Sequence, residues 1–291
     1  MGEIPIGIVV LYNGELCDGV FKSQYESYVN SFNKLGIDSV AIPSSEYITK
    51  LFENEMKLPQ KAVFLDKDIY SATFLEQKGV KLYNSAECIR ICDDKALTYI
   101  NLYKNRLPIP KTIIAPKTYS KGQAENWCKK AAGILGYPLV VKECFGSLGK
   151  QVYLAENEFE MLDIVKKLGA KPFLFQKFLS KGAGWDLRVI VADGQVIGAI
   201  KRSNDSDFRA NAAQGGEVEA IKLSGYEKEL AIKAAESTGA FFAGVDLIMG
   251  EDGFLVCEVN SNMLFQAADK ALKSSISDCI AEKIINHSLN K

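Results

Sequence analysis

The stretch "GVDLIMGEDGFLVCEVN", residues 244–260, constrains the fold more than any other part of the chain. Two apolar runs flank a Glu-Asp-Gly turn, and each run carries one acid, Asp246 and Glu258. If Glu251, Asp252 and Gly253 form a loop with Gly253 in the left-handed position, Gly250 pairs with Phe254 and the register follows. Val245, Leu247 and Met249 then face Val259, Cys257 and Leu255 on one side. On the other side Asp246 faces Glu258 and Gly244 lies opposite Asn260. A slip of the register would scramble the apolar face. Directly opposed like charges repel at Cβ separations of roughly 5 Å, and desolvation adds to the cost. A shared proton, a nearby Arg or Lys, or a bound divalent cation would each offset it, as would exposure of both acids to water. Asp, Glu and Asn offer the hard oxygen ligands that Mg²⁺ accepts.

Composition narrows the chemistry. The chain has 291 residues, 47% hydrophobic and 24% charged, proportions that build a real core in one large domain or a few small ones. A net charge of −1 gives no general electrostatic case for nucleic acid or an anionic membrane. No apolar run reaches the ~18 residues of a membrane span. Seven scattered cysteines form no C-x-x-C pair, and no signal peptide is visible, so free thiols in a reducing cytoplasm are expected. Cys88 and Cys92 fall on one helix face without making a metal site. The single histidine, His287, sits in the polar stretch "INHSLNK" and reads as a solvated residue. Ser-His-Asp or Cys-His hydrolysis and multi-histidine zinc sites are thereby excluded. Any chemistry must rest on carboxylates, Lys, Arg and a cofactor.

Strands at 4–12, 37–43, 61–66 and 80–84, with helical stretches between them (22–35 among them), predict a small parallel α/β unit. The loop after the first strand, "NGELCDG", does not fit a dinucleotide-binding glycine pattern. A helix begins at an Asp cap, Asp93 or Asp94, and ends before Pro108 and Pro110. A strand (111–115), a helix (121–135), two strands around a glycine loop, a helix (157–168) and a strand (172–179) predict an α+β unit. Two long strands (185–192 and 195–203), a polar loop, a helix (226–238), the hairpin and C-terminal helices complete the chain.

Lys142 ends an apolar strand, and the loop after it holds Gly146 and Gly149. Amides of a glycine-rich turn approach phosphate oxygens closely, and a lysine supplies a point charge. The loop is not a Walker A motif, because Cys144 stands where its first Gly belongs and Gln151 where its Ser or Thr belongs. A simple turn is the alternative. "GWDLR" puts Asp186 and Arg188 on one face of a strand. Arg202 and Arg209 lie in or beside the polar loop that follows, and each arginine also reads as a surface charge. Lys95 stands beside the Asp cap.

Taken in order, "PLVVKECFGSLG", "GWDLRVIVADGQVIGAIKR", "DFRANAAQGGE", "AGVDLIM" and "CEVNSN" resemble the ATP-grasp superfamily, and within it the RimK-type carboxylate–amine (alpha-L-glutamate) ligases. The resemblance implies a mixed α/β fold: an N-terminal parallel pre-grasp unit (1–92), then two α+β subdomains (93–178 and 179–291) that clasp ATP between them. It implies that Lys95 and Lys142 hold phosphates and that Gly146, Ser147 and Gly149 form the flexible loop over them. Gln176, Lys177, Phe178 and Leu179 correspond to the strand that reads adenine. Asp186 lies near the ribose and Asn211 beside the nucleotide. Arg188, Arg209 and Arg202 lie near the transferred phosphate. Asp246, Glu258 and Asn260 correspond to ligands of two Mg²⁺ (or Mn²⁺) ions, which explains the opposed carboxylates. There are departures from the family pattern. Lys177 replaces a common acid, and "MLFQAADKA" follows "EVNSN" without the usual Pro-Gly.

The implied reaction is ATP-dependent and ADP-forming. A small-molecule or peptide carboxylate becomes an acyl phosphate, which an amino-acid amine, glutamate among the candidates, converts to an amide. No protein nucleophile is needed, and a homo-oligomer is compatible with the resemblance. Phosphorylation of a hydroxyl on the same scaffold and a non-catalytic nucleotide-binding module are the alternatives. On this reading Asp246→Asn and Glu258→Gln abolish turnover and spare the fold.

Overall fold

A computed structural model of the protein describes residues 7–50, 57–117, 119, 125–210 and 216–289. Three sheets organise these residues. The first contains β1 (Ile8–Tyr12), β2 (Ser39–Pro43), β3 (Lys61–Leu65) and β4 (Lys81–Tyr83), parallel throughout and ordered β2-β1-β3-β4. Helices α1 (Gly19–Lys34), α2 (Ser45–Ile48) and α3 (Ile69–Gln77) lie in the crossovers. Residues 4–6 of the strand predicted at 4–12 lie outside the described residues. Side chains alternate across the sheet. Val9, Leu11, Ala62 and Phe64 pack into one core and Ile8, Val10, Val63 and Leu65 into another.

Two capped helices lead out of this unit. Ser85 caps α4 (Ala86–Asp93), and Asp94 caps α5 (Lys95–Lys104) by accepting the Ala96 and Leu97 N–H groups. The cap sets Lys95 at the first position of α5. The second sheet is antiparallel and ordered β5-β8-β6-β7: β5 (Thr112–Ile114), β6 (Leu139–Glu143), β7 (Val152–Ala155) and β8 (Phe173–Lys177). With α6 (Glu125–Leu135) and α7 (Glu158–Leu168) it encloses a core centred on Trp127, Phe173 and Phe175. Residues 121–124 of the helix predicted at 121–135 lie outside the described residues.

The third sheet is antiparallel and ordered β11-β10-β9-β12-β13. Its strands are β9 (Trp185–Ala192), β10 (Gln195–Ser203), β11 (Glu217–Ala220), β12 (Phe242–Met249) and β13 (Phe254–Asn260). Helix α8 (Gly225–Ser237) covers one face, where Leu187, Val189 and Val191 are buried. The other face changes character along its length. At one end Ile190, Ala192, Ile200 and Phe242 join Val10, Val63, Tyr28 and Phe32 of the first sheet's unit in a single core, closed by α9 (Gln266–Leu272) and α10 (Ile276–Leu289). At the other end the same strands present Asp186, Arg188, Arg202 and Asp246 to a cavity.

Two expectations are corrected here. The hairpin pairs Asp246 with Glu258, Val245 with Val259 and Gly244 with Asn260, as its sequence predicts. Beyond Asp246 a bulge shifts the register, so that Leu247 meets Val256 and Met249 meets Phe254, and the loop runs from Gly250 to Gly253. The neighbours of β13 hold the bulge. The Val256 N–H donates to the Pro108 carbonyl at 2.8 Å, and the Tyr99 hydroxyl donates to the Cys257 carbonyl at 2.6 Å. His287 is also not a solvated tail residue. It lies on α10 with its ring edge-on to Phe241 (centroids 5.2 Å apart) and Tyr83 (6.4 Å), and Nδ1 sits 3.5 Å from the Asp193 carboxylate.

Asn84 ties the first sheet's unit to the third sheet. It is 1% exposed, its amide donates to the Phe242 and Ser261 carbonyls at 2.9 Å, and its oxygen accepts the Phe241 N–H at 2.7 Å. Asn84→Ala leaves two buried carbonyls and the partly buried Phe241 N–H without this partner, at about 1–3 kcal/mol for each buried group. Urea denaturation is expected to show a loss of about 3 kcal/mol or more; a change below ~1 kcal/mol would mean that water or relaxation replaces the bonds.

Candidate active site

A cavity of about 560 Å³ lies where the three sheets meet. Every residue that the family resemblance assigns to the site lines it, with one exception: Lys95, Lys142, Gly146, Ser147, Gly149, Gln176, Lys177, Phe178, Leu179, Asp186, Arg188, Arg202, Arg209, Asp246, Glu258 and Asn260. The exception, Asn211, lies outside the described residues. Sequence reasoning missed Tyr12, Tyr25 and Lys67 of the first unit and Cys257 of the hairpin, all on the same lining. Lys67 did leave a signal, because it lies just past the carboxyl end of a parallel strand, and ligands in open α/β sheets bind at the carboxyl ends of strands. Cys257 left none, because its direction is set by the bulge.

Register builds the cavity floor. β10 places Arg202 opposite Asp186 on β9, β9 places Arg188 opposite Asp246 on β12, and β12 places Asp246 opposite Glu258 on β13. The charges therefore interlock across four strands. Arg188 grips Asp246 through Nε and Nη2, both at 2.8 Å. Arg202 grips Asp186, with Nε at 2.7 Å from Oδ1, and its Nη2 also lies 3.0 Å from Asp246 Oδ2. Lys95 pairs with Glu258 at 3.3 Å, and the Asn260 amide reaches Asp246 Oδ2 at 3.4 Å. Cations from neighbouring elements thus compensate the opposed carboxylates in this structure.

Burial pushes the Asp246 carboxyl up, but the Arg188 and Arg202 guanidinia outweigh it and hold the group below the ordinary carboxylate range. Glu258 behaves alike, burial being outweighed chiefly by Lys95. Asp186 goes the other way, because burial prevails over Arg202 and the nearby Asp246 charge adds to it. Burial works against the charge on Arg202, yet Asp246 and Asp186 together raise its pKa above the usual guanidinium value.

Lys142 differs from the other cations. It is 8% exposed, and its ammonium meets the Cys257 Sγ at 3.6 Å. Among the described residues no carboxylate lies within ion-pairing distance of it. The loop between β6 and β7 passes over this part of the cavity. Lys95 Nζ donates to the Gly146 carbonyl at 3.1 Å and Arg209 Nη1 to the Gly149 carbonyl at 2.8 Å, while the Ser147 N–H donates to Gln151 Oε1 at 3.1 Å. Gly149 has a φ of +71° and Gly146 a φ of +151°, so both positions favour glycine. At the far wall Gln176 is buried and donates to Thr112 Oγ1 at 2.9 Å, and the Phe178 and Phe208 rings lie 6.2 Å apart.

The donor chemistry suits a hard divalent cation. Asp246, Glu258 and Asn260 offer carboxylate and amide oxygens from adjacent positions, and an ion there would share those oxygens with Arg188, Arg202 and Lys95, which hold them in this structure. Among the described residues no cluster of three or more His, Cys, Asp or Glu side chains forms a metal cage. An ion held here would need further oxygens from a ligand.

The network revises the expectation that neutralising either acid spares the fold. Asp246 is 6% exposed and serves two buried guanidinia. Asp246→Asn is expected to cost about 3–5 kcal/mol in urea denaturation. Glu258→Gln, whose partner Lys95 has other contacts, should cost about 1–2 kcal/mol. Equal costs would mean that the guanidinia re-pair elsewhere. The pH dependence follows from the same groups. Asp246 and Glu258 have depressed folded-state values, so their contribution is complete above the unfolded carboxylate range and is lost as pH falls through the folded values. Asp186 is raised and acts with the opposite sign. The urea midpoint should decline below about pH 5, and Asp246→Asn should make that decline shallower.

N-acetylaspartylglutamate synthase A of Homo sapiens is 36% identical over 232 residues, 78% of this chain and 58% of that protein. Beta-citrylglutamate synthase B of Mus musculus is 35% identical over 232 residues, again 78% of this chain and 58% of that protein. The chain therefore spans less than two thirds of the length of these relatives. Among solved structures, the ATP-grasp ligase PsnB, complexed with a phosphomimetic variant of its minimal precursor, Mg and ADP, aligns with a TM-score of 0.71 and 20% identity. That alignment covers 96% of this chain and 97% of PsnB, a likeness of fold. The family model of the RimK-like ATP-grasp domain matches residues 92–285, and the chain belongs to the RimK-like ATP-grasp family.

Proposed function

We propose that the chain is an ATP-dependent, ADP-forming ligase that joins glutamate or another amino acid, through its amine, to a small-molecule or peptide carboxylate. The observation that carries this reading is Lys142. A buried ammonium without a carboxylate is costly, and its position beneath a glycine loop favours an anion as the missing partner. Triphosphate supplies that charge. Lys95 and Lys142 bind its oxygens, and Gly146, Ser147 and Gly149 close over them. Gln176, Lys177, Phe178 and Leu179 form the base compartment, with Asp186 toward the ribose and Asn211 beside the nucleotide. The units 1–92, 93–178 and 179–291 meet around the site on this reading.

Asp246, Glu258 and Asn260 would hold Mg²⁺, one ion or two, which neutralises and orients the β- and γ-phosphates when bound. The chain's own residues do the rest. Arg188, Arg202 and Arg209 offset the negative charge that builds on the transferred phosphoryl group. A substrate carboxylate oxygen attacks the γ-phosphorus, the bond to the ADP oxygen breaks, and an acyl phosphate forms. The amine nitrogen then attacks the acyl carbon and loses a proton, phosphate leaves, and an amide remains. Positioning and charge neutralisation suffice for both steps, in keeping with a chain whose single histidine lies on α10 beside Asp193.

The test is ADP and phosphate release from Mg·ATP with paired carboxylates and amino acids, beginning with glutamate and either N-acetylaspartate or citrate, the partners suggested by the relatives' names. The expected outcome is release that requires both co-substrates and a product lighter than their sum by one water. ADP release with a hydroxyl compound and no amine would overturn the reading. Lys142→Met provides a second check. It should weaken ATP binding roughly 30- to 100-fold through the lost charge-assisted bond, yet raise the stability of the ligand-free protein by about 1 kcal/mol. Reduced ligand-free stability would give Lys142 a structural role instead.

A further inference from the structure

Lys67 lies outside the groups assigned above, yet it connects the first sheet to the glycine loop. It lies two residues beyond the end of β3, and its backbone is fixed. The Lys67 N–H donates to Asp66 Oδ1 at 2.7 Å, and Asp66, 5% exposed, also accepts from Asn13 after β1 at 3.0 Å and Ser44 after β2 at 2.6 Å. The carboxyl ends of three parallel strands thus set the root of the side chain. At its tip, Nζ lies 2.6 Å from Asp93 Oδ1, at the end of α4, and donates to Ser147 Oγ at 3.1 Å.

We propose that Lys67 is a positioning residue through which the N-terminal unit latches the glycine loop closed over the nucleotide compartment, with Asp93 holding the ammonium in place. The inference rests on the ligase reading for its purpose but not for its geometry. Two other cations bind the loop, Lys95 at the Gly146 carbonyl and Arg209 at the Gly149 carbonyl. Both belong to the set assigned to phosphate, so a bound nucleotide competes with the loop for them. Lys67 is outside that set, and its ammonium is held by the Asp93 carboxylate at 2.6 Å while it donates to the Ser147 hydroxyl. When Lys95 and Arg209 turn to the nucleotide, the Lys67–Ser147 contact still holds the loop. It also joins the loop to the strand ends where a second substrate of an open α/β unit binds.

The loop carries its own reporter. Lys150 is exposed at its end, and trypsin cleaves there only from an opened loop. The experiment follows cleavage after Lys150 by mass spectrometry in the full chain without nucleotide or co-substrate, for the wild type, Lys67→Ala, Ser147→Ala and the double variant. Each single variant should speed this cleavage roughly three- to tenfold, the range of one partly exposed charge-assisted bond. The double variant should add little to either. Cleavage at the exposed Lys228 and Lys233 of α8 should stay unchanged, and Lys67→Arg should restore protection. Unchanged cleavage after Lys150 in Lys67→Ala, or fully additive single effects, would overturn the latch. Because nucleotide is absent, such a failure leaves the ligase reading standing, and failure of the ligase assay does not alter the cleavage result.

Discussion

The structure depends on an interlocked row of charges across the third sheet. Arg202, Asp186, Arg188, Asp246 and Glu258 occupy neighbouring positions on β10, β9, β12 and β13, and each acid faces at least one cation. Desolvated charges of one sign would not survive there, and single pairs with poor geometry would gain little over apolar packing. Two-pronged contacts from Arg188 and Arg202 supply the geometry. The apolar half of the same face can then form a core with the first sheet, because the polar half is neutralised within itself. One sheet face serves as core at one end and cavity floor at the other.

The cations of the site have two sets of partners. In the structure they hold carboxylates and loop carbonyls: Lys95 on Glu258 and Gly146, Arg209 on Asp207 and Gly149. On the proposed function the same groups serve phosphate. Such exchange is inexpensive, because each ammonium or guanidinium keeps an oxygen partner throughout. Lys142 is the exception, buried with a thiol beside it. On the proposed function this difference marks Lys142 as the group that an anion would pair.

Much of the site was legible because its parts lie on regular strands. Asp186 and Arg188 share a strand face by simple alternation, and Asp246 faces Glu258 in register with the Val245–Val259 and Gly244–Asn260 pairs. The resemblance to the ATP-grasp family then joined stretches that no local rule connects. Three features escaped. The bulge past Asp246 answers to Pro108 and Tyr99, which lie far away in sequence. His287 meets Phe241, Tyr83 and Asp193 only after α10 docks. Lys67 meets Ser147 across eighty positions, and its carboxylate partner Asp93 lies at the end of α4.

The sequence by itself determined the element types, the pairing of the two hairpin acids and the family. Those properties follow from periodicity, residue chemistry and motif order, all of which are carried locally. Tertiary structure decided what neutralises the acids, which lysine is left without a carboxylate and how the glycine loop is held. Those are questions of distance between groups remote in the chain. Electrostatic energy depends on distance and burial, and neither exists until the sheets have packed.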